Sequence, residues 1–381
     1  MSYQPTYKAA NTIAATIEQH FIRLHQNAIA QGEVDLATQP DKFTIEALID
    51  VAFWSSLRKE EGHSPRISIA FLPPDQTSKP LLFAKKLPLN ANTLTKIAPG
   101  IERSGIHLGV WMEDGELYIW GTTLNIPNFC FVVDVSEPGL IVIKHRRIYG
   151  IGKFTNVAVL KGEQIRIVDD TSCSNSNKDC PPILKALLDL TVLASWNDPI
   201  NILIQFAVSM RAHGRGGALL IVPKDDAKWE ESIIHPIQYL IEPPFSGLSN
   251  LAKQSGNQTE IFSQGALRRE VEHLAGLTAV DGATIINEEF DLIAFGAKIG
   301  RAKGKPTVEQ IAFSEPIIGG EDKILFPGQL GGTRHFSVAQ FVNDQPQSIG
   351  LVASQDGHFT IFSWSKKQNV VMAHRIETLL L

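Results

Sequence analysis

Two short segments in the second half of the chain carry residues that could bind a metal ion and phosphate. In the first, VDGATII (280–286), Asp281 stands directly before a strand-like run, and Gly282 and Ala283 are small enough to let a ligand approach the backbone. Mg²⁺ and Mn²⁺ prefer oxygen ligands such as a carboxylate. The first segment therefore predicts a carboxylate for a divalent metal beside a surface of close contact.

The second segment, GGTRHFSVA (331–339), leads from two glycines into a hydroxyl, a guanidinium, an imidazole and a second hydroxyl. Its helix-like continuation would put these groups near a helix N-terminus, where unsatisfied N–H groups and the helix dipole favour an anion. Arginine contacts phosphate oxygens in a planar, bidentate way, and histidine can donate to them. The donors are Thr333, Arg334, His335 and Ser337. Together with Asp281 they predict a triphosphate site served by a metal ion.

A plainer interpretation of both segments stays open when only residue types are considered. An Asp-Gly pair before a strand is usually a turn, because both residues suit the backbone angles of turns. Gly-Gly-Thr-Arg could equally be a capped loop with a solvated arginine. Residue types alone therefore leave a nucleotide site and two ordinary loops as competing hypotheses.

The composition is that of a globular chain without a strong charge bias. The chain has 381 residues, 35 Lys+Arg against 40 Asp+Glu, a net charge of −5 and 44% hydrophobic residues. At roughly 150 residues per domain, this length suggests about two domains. Binding a phosphate backbone requires clustered Lys and Arg. We therefore expect no polymeric nucleic acid as a partner, and any nucleic-acid chemistry should involve small nucleotides.

The cysteine count and the hydropathy pattern predict a cytoplasmic protein. Three cysteines are too few for a disulfide framework, which favours a reducing compartment. Cys173 and Cys180 are separated by six residues, a spacing that fits no common zinc motif, so we expect loop cysteines. No stretch approaches 18 uninterrupted apolar residues, and the first residues lack the order of a signal peptide. We expect no association with a membrane.

The order of the elements predicts a mixed α/β (α+β) fold. Through the first 60 residues apolar side chains recur at three- and four-residue steps, which indicates helices. From Arg66 the period shortens towards two, which indicates strands. The pair Asp114 and Gly115 separates two of these strands and predicts a hairpin, because Asp-Gly suits the positive φ angles of a tight turn.

A polar, proline-closed stretch at 169–182 is the strongest break in the chain and predicts a domain boundary. It separates an N-terminal α+β domain (1–175) from a second domain (185–381) of mixed helices and strands. The second domain shows helical periodicity up to Gly214, then an apolar run at 218–223. Further segments are helical at 266–280 and strand-like at 281–286, 349–354 and 358–364.

In the two chemical segments the sequence resembles the diadenylate cyclase (DAC) domain family. The family's signatures are Asp-Gly-Ala after a helix and Gly-Thr-Arg-His before a helix start, and both stand here in the family's order, at 281–283 and 332–335. GGALLIVP (216–223) is similar to a core strand of the family, and GLVASQDGHFTIFSW (350–364) is similar to its closing strands. The resemblance covers roughly 185–381 and implies a mixed β-sheet flanked by helices.

The N-terminal half shows a second resemblance. FWSSLRKEEGHSPRISIAFLPP (53–74) is similar to a sensor-like domain that precedes DAC domains in some bacteria. The resemblance implies a sensor with an unknown ligand. Glu60 and Glu61 could serve its site, or they could be a solvated helix end.

The DAC resemblance implies a reaction and an assembly. Family members join two ATP molecules into cyclic di-AMP and release two pyrophosphates, each ribose 3′-hydroxyl attacking the other nucleotide's α-phosphate. Each protomer holds one ATP, so two sites must face each other. The resemblance therefore implies self-association as a dimer or a higher assembly.

The resemblance also implies roles for single residues. Asp281 would bind Mg²⁺ or Mn²⁺ and help to activate the hydroxyl, with Arg334 and His335 completing the catalytic set. Ile299 matches an apolar position that contacts adenine, and Asp356 would be a second metal carboxylate. The positions that would contact the nucleotide are Gly282, Ala283, Ile299, Gly332, Thr333, Phe336, Ser337, Ser354 and Gln355.

Three features depart from the family's pattern. Phe336 stands where many members have a second arginine, which removes a cation from the phosphate cradle. A Ser-Glu-Glu type turn is replaced by Ser354-Gln355-Asp356, and 53 positions separate Asp281 from Arg334. Two other functions therefore remain as alternatives: a non-catalytic nucleotide receptor, and a nucleotidyltransferase with a different product. The missing arginine favours the receptor, whereas the retained Asp281 disfavours it.

Overall fold

A computed structural model describes residues 4–147, 154–173, 179–188, 195–253 and 260–381. It divides into two compact units, Met1–Val168 with Leu381, and Asp169–Leu380. Each unit combines helices with one mixed sheet, which confirms the predicted α+β fold class. In these described ranges no helix has the length and apolar character that crossing a membrane requires.

In its described residues the first unit contains three α-helices and an eight-stranded sheet. The helices are α1 (Lys8–Ala30), α2 (Lys42–Ser56) and α3 (Ala91–Ile97). The strands are β1 (Ile67–Phe71), β2 (Leu81–Pro88), β3 (His107–Glu113), β4 (Glu116–Thr123), β5 (Phe131–Glu137), β6 (Leu140–Arg146), β7 (Phe154–Lys161) and β8 (Gln164–Ile167). Their order is β2-β4-β3-β1-β5-β6-β7-β8, with β1 parallel to β3 and the other pairs antiparallel.

Local signals in the first unit explain its elements. The α1 side chains Ile13, Ile17 and Phe21, spaced four residues apart, are fully or almost fully buried, as one face of an amphipathic helix should be. Asp41 caps α2 by accepting a hydrogen bond from the Thr44 N–H at 2.8 Å. The predicted hairpin is confirmed, since β3 and β4 pair across the turn in which Asp114 has φ +50°.

Buried histidines lie between α1 and β6 in the first unit. The ring centroids of His20 and His145 are 6.1 Å apart, and the Nδ1 of His145 lies 3.1 Å from the Arg146 carbonyl oxygen. Burial lowers the pKa of His145 to about 3 and that of His20 to about 4, and Arg23 adds repulsion at His20. Burial also lowers the pKa of His25. The fold therefore favours the neutral imidazoles.

Mild acid is expected to destabilise the first unit through these histidines. In the unfolded chain histidine has its ordinary pKa of 6.5 and becomes protonated in mild acid. Buried His145 has a pKa of about 3 and stays neutral there. The contribution of His145 to the free energy of unfolding is fully present above pH 6.5 and falls below it, by about 2 kcal/mol at about pH 5. Urea unfolding followed by circular dichroism at about pH 7.5 and about pH 5 measures the loss. His145→Gln should flatten the pH dependence, and an unchanged slope in that variant would contradict the assignment.

The second unit contains a nine-stranded sheet and six helices in the described ranges. The helices are α4 (Pro182–Leu187), α5 (Pro199–Ala212), α6 (Gly247–Lys253), α7 (Glu260–Leu277), α8 (Pro327–Leu330) and α9 (Thr333–Asp344). The strands are β9 (Gly217–Val222), β10 (Tyr239–Phe245), β11 (Ala283–Asn287), β12 (Leu292–Ala297), β13 (Ile311–Ser314), β14 (Lys323–Leu325), β15 (Ile349–Ala353), β16 (Phe359–Ser365) and β17 (Val370–Arg375).

The sheet of the second unit has the order β10-β12-β11-β9-β15-β16-β17-β13-β14. Two pairs, β9 with β11 and β13 with β17, are parallel, and the other pairs are antiparallel. Every residue of β9 is buried, which is typical of a central strand covered on both faces. Helix α9 packs on β9, β15, β16 and β17, where Val338 and Phe341 join the apolar cluster that contains Leu220 of β9.

The cysteines confirm one expectation and add a cross-link that the sequence did not predict. Cys173 and Cys180 lie outside helices and strands, as expected of loop cysteines, and they are joined in a disulfide with a Cα–Cα distance of 5.7 Å. The cross-link depends on backbone proximity, which their spacing of seven positions does not reveal. In a reducing compartment the pair would be two thiols. Cys130 is free and buried, and burial raises the pKa of its thiol.

Candidate functional site

A cavity of about 270 Å³ in the second unit brings together the two chemical segments of the sequence. It is lined by Ala218, Ile234, Asp281, Gly282, Ala283, Ala297, Lys298, Ile299, Thr333, Arg334, Ser337 and Val338. Asp281 and Arg334 are separated by 53 positions in the chain and yet lie on the walls of the same cavity. The juxtaposition of the two segments is a property of the fold.

The strand registers explain how the floor of the cavity forms. Because β9 and β11 are parallel neighbours that begin at the same edge of the sheet, Ala218 lies beside Ala283. The antiparallel β12 returns to that edge and places Ala297 on the other side of Ala283. Three alanines in a row leave space above the sheet, which larger side chains would fill. The N-terminal turn of α9 supplies the opposite wall.

Asp281 and Lys298 form the charged pair on one side of the cavity. The Lys298 ammonium group donates a hydrogen bond to Oδ2 of Asp281, and the Asp281 side chain is 87% exposed. This hydrogen bond and the charge of Lys298 lower the pKa of the Asp281 carboxyl, and Arg334 adds a smaller effect. The carboxylate is therefore ionised and open to the cavity. Sequence reasoning missed Lys298, although it directly precedes the predicted adenine contact Ile299.

Gly282 allows β11 and β12 to meet at the cavity. Its φ of +113° lies in the region that favours glycine, and a Cβ atom there would lie 2.5 Å from the carbonyl carbon of Gly296. A real Cβ does not approach a backbone atom so closely. The group that approaches the backbone of Gly282 is therefore the neighbouring strand, whereas the sequence predicted a ligand there, and that ligand contact stays a prediction.

Gly282→Ala is expected to lower the free energy of unfolding of the second unit by about 2–4 kcal/mol, because the methyl group meets backbone that cannot rotate away. Urea unfolding of the full chain measures the change. Gly304→Ala is the matched control, since Gly304 also has a positive φ, +80°, but nothing lies within 4 Å of the added Cβ. Equal losses in the two variants would show that backbone strain alone accounts for the effect.

The first turn of α9 presents the predicted phosphate donors. Gly332 is the N-cap, and Thr333, Arg334 and Ser337 line the cavity. Positions three and four apart share one face of a helix, which explains why these three side chains point the same way. The Arg334 guanidinium lies against Gly216, where an added Cβ would be 3.3 Å from Nη1. Among the described residues, the buried Nε of Arg334 has no hydrogen-bond partner.

His335 lies in the core, in contrast to the prediction that it donates to phosphate from the same turn. Its side chain is 3% exposed, its ring packs edge-on against Phe362, and a Cβ at Gly331 would lie 2.5 Å from its Nδ1. Burial, and next to it the charge of Arg375, lower its pKa to about 4. The reason is the geometry of the α-helix: successive side chains are rotated by about 100°, so the His335 side chain points away from the side of α9 on which Arg334 lies.

Phe336 also turns away from the cavity, although we expected it beside the nucleotide. Its ring packs against the core of the second unit, and the centroid of the Phe326 ring lies 5.9 Å away. Of the predicted phosphate cradle, Thr333, Arg334 and Ser337 therefore line the cavity, whereas His335 and Phe336 do not.

The turn after β15 holds the remaining predicted residues, and none of them lines this cavity. The Ser354 Oγ accepts a hydrogen bond from the His358 N–H, and the Gln355 side chain donates to the Arg215 carbonyl oxygen. Gln355 is nevertheless near Arg334, because both lie against Gly216. Asp356 is exposed and does not line the cavity, so one of the two predicted metal carboxylates, Asp281, is among the described lining residues. No group of three or more potential metal ligands occurs within the described ranges.

The comparisons with known proteins concern the first unit. Residues 34–124 match the family described as probable sensor domain DACNV. In some proteins this domain precedes DAC domains. The sensor-like character predicted for the N-terminal half is confirmed for that segment, whereas the cavity-bearing second unit lies outside it. No curated protein matches the chain.

Proposed function

We propose that the second unit is a diadenylate cyclase, which joins two ATP molecules into cyclic di-AMP and releases two pyrophosphates. One observation carries the proposal: the Asp-Gly-Ala and Gly-Thr-Arg segments, far apart in sequence, form two walls of one cavity. The matched sensor segment supports it, since that domain stands before DAC domains in other proteins. The proposed compartment is the cytoplasm, where ATP is available.

The cavity suits a nucleoside triphosphate in both its polar and its apolar walls. Arg334 and Lys298 offer two cations, and the N-terminal turn of α9 offers backbone N–H groups to phosphate oxygens. On the apolar side, Ile234, Ile299 and Val338 could hold the adenine ring. In this reaction the protein would act by positioning the nucleotides and neutralising the charge of their phosphates.

The donor set fits a Mg²⁺ or Mn²⁺ ion that is held mainly by its substrate. Asp281 is an exposed carboxylate with lone pairs left over after its bond to Lys298. Magnesium is commonly bound by one or two carboxylates together with substrate phosphates, so one acid in the cavity is sufficient. When bound, the ion supplies further neutralisation of phosphate charge. Asp281 would hold the ion and would accept the hydrogen bond that orients the attacking hydroxyl.

The DAC resemblance implies one ATP per protomer, so the proposed reaction requires two protomers with their cavities face to face. Homodimers or higher assemblies follow from this requirement. The first unit, through its sensor segment, would regulate how often two cavities meet.

Incubation of the purified chain with ATP and Mg²⁺ or Mn²⁺, followed by chromatography and mass spectrometry, tests the proposal. We expect pyrophosphate and a product with the mass of cyclic di-AMP. A folded protein that forms neither product with any metal would overturn it. A different mass from mixed nucleoside triphosphates would select a nucleotidyltransferase of another specificity.

A second candidate is a nucleotide receptor without turnover. It is favoured by two observations: the hydrogen bond from Lys298 already engages one oxygen of the proposed metal ligand Asp281, and Phe336 packs against the core where many DAC domains have a cation. Calorimetry that shows tight ATP or cyclic di-AMP binding, with no product in the same samples, would select the receptor.

Lys298→Met is expected to raise the KM for ATP about five- to tenfold, because the cavity loses one of its two cations. In a receptor the same substitution should raise the Kd by a similar factor. Lys303→Met is the control, since Lys303 is exposed and outside the cavity walls. Unchanged affinity in Lys298→Met would mean that Lys298 serves Asp281 alone.

A further inference from the structure

A second cavity, of about 370 Å³, lies in the first unit, partly within the segment that matches the sensor family. Its volume falls within the range of roughly 300–1,000 Å³ that is common for small-molecule sites. Seven of its nine described lining residues are polar or charged, among them Asp35, Thr77, Ser78, Asn125, Asn128 and Arg146. This wall composition favours a small, strongly polar ligand over an apolar one.

Hydrogen bonds hold the cavity's walls in place before any ligand binds. The hydroxyls of Thr77 and Thr123 lie 2.6 Å apart, and the Asn125 side chain donates to the Ser78 hydroxyl at 3.2 Å. On the opposite wall the backbone N–H of Ala37 donates to the carbonyl oxygen of Asn128 at 2.9 Å. A preformed wall loses little conformational entropy when a ligand binds, which favours specific recognition of a small molecule.

Two groups of opposite charge, Asp35 and Arg146, line this cavity and can make further hydrogen bonds. Nη1 of Arg146 donates to the Ile126 carbonyl oxygen, and its other N–H groups have no partner among the described residues. Asp35 is exposed and has φ +59°, and within the same described ranges its carboxylate has no hydrogen-bond or ion-pair partner. The Asn128 side-chain amide likewise lacks a partner there, so it adds a neutral donor and acceptor.

We propose that this cavity is the ligand site of the sensor and that it binds a small zwitterion of the α-amino-acid class. The ligand's carboxylate pairs with the Arg146 guanidinium in the bidentate geometry that arginine favours. Its ammonium group pairs with the Asp35 carboxylate, and the Asn125 and Asn128 amides complete the hydrogen bonds. A simple anion would be repelled by Asp35 and a simple cation by Arg146, so the charge pair selects a molecule that carries both signs.

Ligand-observed NMR on the full-length protein tests the site, with the standard α-amino acids as probes and acetate and methylammonium as single-charge controls. Calorimetry then measures the Kd of each amino acid that binds. We expect at least one amino acid to bind and neither control to do so. Arg146→Gln and Asp35→Asn should each weaken binding at least about tenfold, because each removes one charge-assisted contact. Asparagine tolerates the left-handed backbone at position 35.

Arg103→Gln and Asp114→Asn are the matched controls, since both residues are exposed on the first unit and outside the cavity walls. Circular dichroism confirms that all four variants are folded. Failure of every amino acid to bind at about 1 mM, the weak end of specific affinity, would overturn the proposal. Equal binding by the wild type and both cavity variants would overturn it as well. Neither outcome depends on the cyclase activity of the second unit.

Discussion

Asp281→Asn is expected to reduce the formation of cyclic di-AMP about a thousandfold and to leave the fold intact. The substitution keeps the side-chain volume but removes the negative charge that would hold a divalent ion and accept a hydrogen bond from the attacking hydroxyl. The Asp281 side chain is 87% exposed, so its packing contributes little to stability. Initial rates of pyrophosphate release, with ATP and Mn²⁺ in excess, measure the effect.

A matched control variant separates a loss of catalysis at Asp281 from a loss of structure. Asp225→Asn is the control, because Asp225 is an exposed aspartate of the same unit that does not line the cavity. It should retain full activity. If Asp281→Asn turned over ATP at more than about a tenth of the wild-type rate, the proposed metal and hydroxyl contacts would be wrong. Retained ATP binding without turnover in this variant would place the loss in the chemical step.

Arg334→Gln is expected to reduce kcat/KM for ATP about a hundredfold, the second largest effect. Its guanidinium lines the cavity at the N-terminus of α9, and the buried Nε has no hydrogen-bond partner in the described part of the chain. A bound phosphate would stabilise this guanidinium strongly, because it would accept a hydrogen bond from the desolvated Nε and neutralise the positive charge. Arg334→Lys should recover only part of the activity, since an ammonium group cannot make the bidentate contact.

Steady-state kinetics of both Arg334 variants, with Arg269→Gln as the control, make this prediction testable. Arg269 is an exposed arginine of the same unit and lies outside the cavity walls. Full rescue by lysine would show that charge alone is needed at position 334. An activity equal to wild type in Arg334→Gln would exclude a contact to the reacting phosphates.

Local signals in the sequence were sufficient for several parts of the fold. The pair Asp114 and Gly115 predicts a hairpin because Asp-Gly tolerates positive φ, and the turn forms between β3 and β4. The helix-like continuation of GGTRHFSVA (331–339) predicts a helix N-terminus at its first donors, and α9 begins at Thr333. Both cases depend on interactions within a few residues, which the sequence order alone supplies.

The candidate site was predictable in its residue types and less so in its geometry. Asp281, Gly282, Ala283 and Ile299 line the cavity together with Thr333, Arg334 and Ser337, as proposed from the motifs. Lys298 was missed, because a lysine next to an apolar residue has no distinctive spacing. Its role depends on the β11–β12 pairing, which brings its ammonium group to Asp281.

The sequence by itself determined the class of the fold and the chemistry that its motifs could perform, because periodicity, turns and helix starts are local. Only the tertiary structure decided which side chains share a cavity. The phase of α9 turns His335 into the core and Arg334 outward, and the parallel pairing of β9 with β11 sets the cavity floor. Contacts of this kind join residues far apart in the chain, so their geometry depends on packing across the whole unit.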